Sequence, residues 1–132
     1  MLDKVLELFE IIPDYDLNVL RPGQYFFELT SNVVLMGMKE VLSTEKPDVV
    51  FVHGDTATPM TTSLDAFYQH IFVGHAEAGL RTYDIYSPFP EEVNRQMTSI
   101  MADFHFAPAA IANQNLLSEH VTGEKLLAQG IR

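Results

Sequence analysis

Three short apolar runs limit what this chain can fold into. They are Asp48-Val-Val-Phe-Val-His53, Ile71-Phe-Val-Gly-His75 and Phe104-His-Phe-Ala107. Each is too short for a buried helix and rich in β-branched or aromatic residues. The first two read as strands buried on both faces, as in a parallel sheet. Helical patterns fill the intervals, at about 59–69, from Pro90-Glu91-Glu92 to about Ala102, and at about 109–119. The acidic first turn beside Pro90 suits a helix start.

Upstream, Leu2, Val5, Leu6, Leu8, Phe9 and Ile12 have helical spacing, and Pro13 ends that helix. Residues 14–23 read as an irregular connector, with a turn at Arg21-Pro22-Gly23. A longer helix is predicted over about 25–44, striped by Leu29, Val33, Val34, Met38, Val41 and Leu42. Thr122 to Arg132 hold a short helical pattern at most. Strands alternating with helices predict an α/β fold with a parallel, doubly wound sheet. Three strands are few for such a sheet, and neither G-x-G-x-x-G nor a Walker A sequence is present. Either the sheet is small or a strand is missing upstream.

Composition narrows the function. The 132 residues suit one domain with a real core. The net charge of −10 disfavours nucleic acid and anionic membranes. A single nucleotide ligand stays open, because a few arginines and helix N-termini can hold one anion. With no cysteine, disulfides, thiolate metal sites and cysteine nucleophiles drop out. No apolar stretch approaches the ~18–20 residues that span a bilayer. The acidic amphipathic N-terminus does not read as a signal peptide. A cytoplasmic protein is expected.

Ligands of open α/β sheets bind at the carboxyl ends of the strands. There the sequence places His53-Gly54-Asp55-Thr56 and His75-Ala76-Glu77, with Glu91 and Arg95 on the next helix. Carboxylates that share a cleft push one another's pKa apart, which suits proton transfer to and from carbon. A nearby arginine would bind a diphosphate. Structural alternatives stand beside this reading. Asp55 can cap the following helix. Glu91 and Glu92 can be favourable first-turn charges, and Glu91/Arg95 an exposed ion pair. His53 and His75 can be core-edge histidines. A metal held by His53, Asp55 and His75 is conceivable, but no dedicated ligand motif is present. Met97, Met101, Phe104 and Phe106 read as core.

The blocks VHGDT (52–56), GHAEAGLRT (74–82), YSPFPEEVNRQMTS (86–99) and DFHFAP (103–108), with their spacing, resemble the non-hydrolysing UDP-N-acetylglucosamine 2-epimerases. The resemblance runs from about Met1 to Glu119. It implies a two-domain fold of the glycosyltransferase-B type, built from two Rossmann-like domains with the active site between them. This chain would be an incomplete N-terminal domain, without its first strand and without the C-terminal domain, and inactive alone. The implied reaction interconverts UDP-GlcNAc and UDP-ManNAc by elimination and re-addition of UDP, with no cofactor and no metal. Asp55, Glu77 and Glu91 match the acid/base set. Arg95, Arg81, His53 and Thr56 match positions for substrate contacts. A homodimer is implied. Two alternatives remain: a non-catalytic module that self-associates or binds a partner through an exposed half-cleft, and a hydrolysing relative that releases free ManNAc.

Overall fold

A computed structural model describes residues 2–18, 34–119 and 126–129. Its elements, in order, are α1 (Leu2–Leu8), α2 (Leu35–Glu45), β1 (Val49–His53), α3 (Ala57–Tyr68), β2 (Phe72–Ala76), α4 (Glu91–Met101), β3 (Phe104–Ala107), α5 (Ala110–Ser118) and β4 (Leu126–Gln129). The connector turn at 21–23 and the first half of the long helix expected over 25–44 lie outside the described residues. The part described, α2, carries the expected stripe at buried Leu42 and half-buried Met38 and Val41.

The four strands form one sheet in the order β1-β2-β3-β4, all parallel. The three apolar runs are strands within a residue of where the sequence puts them. The fourth strand is a correction. Lys125-Leu-Leu-Ala-Gln129 is made of good helix formers, and the sequence suggests a helix at most. Leu126–Gln129 instead pair with Phe104–Ala107. The open edge of β3 offers a row of backbone partners, and that outweighs local propensity.

Register divides the strand side chains between two faces. Val50, Val52, Val73, His75, His105 and Ala107 share one face. Apart from half-buried Val50, all of these are buried. Leu42 of α2, Ala66 of α3 and Ala102 after α4 pack there with Val52 and Val73 as a single apolar cluster. Residues Phe51, Phe72, Phe104 and Phe106 share the opposite face. Phe51 is 67% exposed and Phe72 56%. The expectation that β1 and β2 are buried on both faces is therefore wrong for one face. The strand order explains why. A sheet laid down monotonically, with right-handed crossovers, sends every connecting helix to the same side. Of the four residues read as core at 97–106, Met97 is 41% exposed, while Met101, Phe104 and Phe106 are half-buried.

α3 and α4 pack against each other through small and hydroxyl-bearing residues. Thr61, Ser63 and Thr98 are buried because each hydroxyl donates to a carbonyl four residues back in its own helix, at 2.7–2.8 Å. This close seam brings the start of α4 up to the carboxyl end of β1.

Candidate active site at the carboxyl ends of the strands

Two strand ends meet first. The Gly54 amide donates to the Ala76 carbonyl at 3.1 Å, extending the β1–β2 ladder by one rung. Gly54 has φ +80, and a Cβ there would stand 3.5 Å from Glu77 Oε2. The glycine therefore suits the turn by its positive φ, and the Glu77 carboxylate lies close beside the β1 end. Glu77 itself has φ +67. A left-handed conformation costs a non-glycine residue about 1–2 kcal/mol, and such strain gathers at functional positions.

His75 lies directly beneath. It is completely buried, and its Nε2 is 2.8 Å from the Gly54 carbonyl. A carbonyl can only accept, so the ring proton is on Nε2. Burial lowers the His75 pKa, and the neighbouring Arg81 and His53 charges push the same way. The neutral ring thus pins the loop that carries Asp55.

Asp55 does not cap the next helix. Thr56 is the N-cap residue, and no side chain caps α3. The Asp55 carboxylate instead accepts from Arg95 Nη2 at 2.7 Å. Asn94 Nδ2 donates to the Asp55 carbonyl at 3.0 Å. Arg95 therefore pairs with Asp55 and, at 3.6 Å, with Glu92, rather than with Glu91 four residues away. Glu91 is half-buried in the first turn of α4, and among the described residues no hydrogen bond or ion pair engages it. Asp55, Glu77, Glu91 and Arg95 are thus brought to the same end of the sheet, with exposed His53 and Thr56 beside them. Among the described residues, no three His, Asp or Glu side chains are grouped to hold a metal ion.

Arg81 is placed elsewhere. Its side chain is fully buried, and it makes a two-pronged pair with Glu119 at 2.7 and 2.8 Å. It also donates to Ser99 Oγ at 2.9 Å and to the Leu80 carbonyl at 2.8 Å. The guanidinium is bonded within the fold rather than presented beside Asp55 and Arg95.

The loop from Glu77 to Pro90 is braced from within. Thr82 Oγ1 donates to the Ser87 carbonyl at 2.5 Å, and Tyr86 N–H to Asp84 Oδ1 at 3.0 Å. Tyr86 and Phe89 stack with ring centroids 6.4 Å apart, and both stay exposed. Glu92 holds the loop from below. Though completely buried, it accepts from the Thr82 and Tyr83 amides, each at 3.1 Å, and from Gln96 at 2.8 Å. Burial alone would raise its pKa, but those donors outweigh it and hold the carboxyl below the ordinary glutamate range.

Glu92, Asn94 and Glu119 are functional or framing residues that sequence reasoning missed. A signal existed for Glu92. Residues 92, 95, 96 and 99 share one helix face, and polar groups on a face that packs inward are informative.

A sequence model of the UDP-N-acetylglucosamine 2-epimerase family matches residues 1–130. The UDP-N-acetylglucosamine 2-epimerase of Salmonella typhimurium is 56% identical over 130 residues, which are 98% of this chain and 34% of the relative. The Bacillus subtilis enzyme of the same name is 52% identical over the same length. The crystal structure of UDP-GlcNAc 2-epimerase from Neisseria meningitidis bound to UDP-GlcNAc superposes with TM-score 0.85 and 52% identity, covering 96% of this chain and 35% of that one. The Methanocaldococcus jannaschii enzyme in complex with UDP-GlcNAc and UDP gives 0.83 at 38% identity, over 95% of this chain and 34% of that one. The chain thus spans about a third of the length of the relatives it matches. It belongs to the UDP-N-acetylglucosamine 2-epimerase family.

Proposed function

We propose that this chain forms part of an enzyme that interconverts UDP-GlcNAc and UDP-ManNAc. The observation that supports the proposal is the placement of Asp55 and Glu77 just after the carboxyl ends of β1 and β2 and of Glu91 in the first turn of α4, with Arg95 bonded to Asp55. A carboxylate removes the proton from C2 of the sugar while the C1–oxygen bond to UDP breaks. The products are 2-acetamidoglucal and UDP. UDP then adds back to C1, and a second carboxyl delivers a proton to the opposite face of C2. Two faces need two acid/base groups, and three carboxylates are at hand. Arg95, His53 and Thr56 supply contacts to the sugar nucleotide or its diphosphate. The chemistry needs neither cofactor nor metal.

The remaining length of the relatives frames the domain reading. The chain is the later part of an N-terminal Rossmann-like domain in a two-domain fold of the glycosyltransferase-B type. A preceding strand would pair with the free edge of β1, and a second domain would close the cleft. The working enzyme is a cytoplasmic homodimer that supplies sugar nucleotide for cell-envelope polysaccharide. This chain alone does not turn over.

The test is conversion of UDP-GlcNAc by the protein that carries this chain, with product identity read by NMR. UDP-ManNAc is expected, and Glu77→Gln should cut kcat by at least about a hundredfold. Free ManNAc as the only product would move the protein to the hydrolysing reading. The open aromatic face favours a second reading, self-association of the chain by itself. A strict monomer by light scattering would remove it.

A further inference from the structure

Glu92 is a charged side chain with no exposed surface, one residue from Glu91. Ionised carboxylates are rarely buried unless several donors meet them. Four do here. Oε2 accepts from the Thr82 amide, and Oε1 accepts from the Tyr83 amide and from Gln96. Arg95 Nη1 lies 3.6 Å from Oε2, while its Nη2 holds Asp55. One carboxylate therefore touches both the loop that runs from Glu77 to Glu91 and the guanidinium that grips Asp55.

The geometry points to Glu92 as a positioning residue: its carboxylate clamps the Thr82–Tyr83 backbone to Arg95, and so fixes Asp55 relative to Glu77 and Glu91. The role in turnover rests on the assignment of those three carboxylates as the acid/base set. Glu92 does not meet substrate, because it is wholly enclosed. A negative charge is needed, not just a shape. Glutamine at 92 would keep one acceptor oxygen and turn its NH2 toward other donors, either the loop amides or Arg95. The row Glu92, Arg95, Asp55 would become neutral, plus, minus, and the guanidinium would lose one of its two anchors. Among the described residues Arg95 Nε is buried without a hydrogen-bond partner, and the Asp55 and Glu92 carboxylates are the groups that hold the guanidinium.

Two measurements test the clamp, and neither needs the reaction. In the wild-type chain, NMR titration should move the Thr82 and Tyr83 amide protons and the Glu92 carboxyl carbon together. Their shared midpoint should lie below the ordinary glutamate range. In Glu92→Gln, hydrogen exchange at Thr82 and Tyr83 should speed up by at least about tenfold, with the strand amides unchanged. A third measurement joins the clamp to turnover. In the protein that carries this chain, Glu92→Gln should lower kcat by about ten- to a hundredfold with KM within about twofold and an unchanged melting midpoint. Unequal midpoints in the wild type overturn the clamp, and this arm stands even if the variant does not fold. Unaltered kcat in a folded Glu92→Gln enzyme overturns the positioning role. If wild-type protein shows the shared midpoint but no turnover of UDP-GlcNAc, the reaction assignment falls and the clamp is still supported.

Discussion

On one face of the sheet, Val52, Val73, His75, His105 and Ala107 are covered by helices. On the other, Phe51 and Phe72 stand mostly in solvent, with Phe104 and Phe106 half-buried beside them. Both faces are built from the same three apolar runs, and alternate residues simply went to opposite sides. The covered face owes its cover to chain order. Successive parallel strands put their crossovers on one side. Local sequence makes a strand, but topology decides which of its faces is buried. The site draws on the covered side, since α4 carries Glu91 in its first turn and brings Arg95 onto Asp55.

The sharpest way to break this contrast uses two glycines. Gly79 has φ +88, and a Cβ there would meet the Ala112 carbonyl oxygen at 2.2 Å, in the packed seam with α5. Backbone cannot move aside easily. Gly79→Ala should cost more than about 3 kcal/mol in chemical denaturation, from clash and strained φ together. Gly74 faces the open side, where its added Cβ would meet the Phe51 ring at 2.7 Å. That ring can swing outward into solvent, so Gly74→Ala should cost less than about 1 kcal/mol. Equal losses would mean that the two sides are equally packed.

His75 sharpens the contrast through pH. Its folded pKa is lowered by burial, below the ordinary histidine value. Its neutral form therefore stabilises the fold fully above about pH 6.5, and that contribution is lost as pH falls below it. Unfolding free energy should fall from pH 6.5 toward 5, with a slope of up to about 1.4 kcal/mol per pH unit for one proton. His75→Gln should be flatter over that window. Glu92 acts in a separate window. Its lowered pKa gives a contribution present above the ordinary glutamate range and lost only at more acid pH.

The smallest effect is expected on the open face. Phe51 touches Phe106 with ring centroids 5.7 Å apart but is otherwise exposed. Phe51→Ser should change stability by no more than about 1 kcal/mol while lowering self-association and binding of hydrophobic dyes. A large loss of stability would show that this face is part of the core.

Much of this was legible in the residues. Val49–His53, Phe72–Ala76 and Phe104–Ala107 are strands because β-branched and aromatic runs of that length have few other uses. Asp55 and Glu77 follow neighbouring strands because parallel strands align their carboxyl ends. Other features depended on contacts distant in sequence. Arg81 looked available until Glu119, 38 residues on, took it. Leu126–Gln129 became a strand only because β3 had an open edge. Glu92 looked like a first-turn charge until Thr82 and Tyr83 folded back onto it. A local pattern holds no record of which partner the chain will bring back.

The central claim is that the strand-end carboxylates move a proton at C2 of a UDP-sugar. Its most direct measurement is solvent deuterium at that carbon. The protein that carries this chain is incubated with UDP-GlcNAc in D2O, and both epimers are read by NMR. Deuterium should enter C2 of both sugars as they interconvert, and the Glu77→Gln variant should lose both incorporation and conversion. Epimerisation that keeps the original C2 hydrogen, or full activity in Glu77→Gln, would contradict the account.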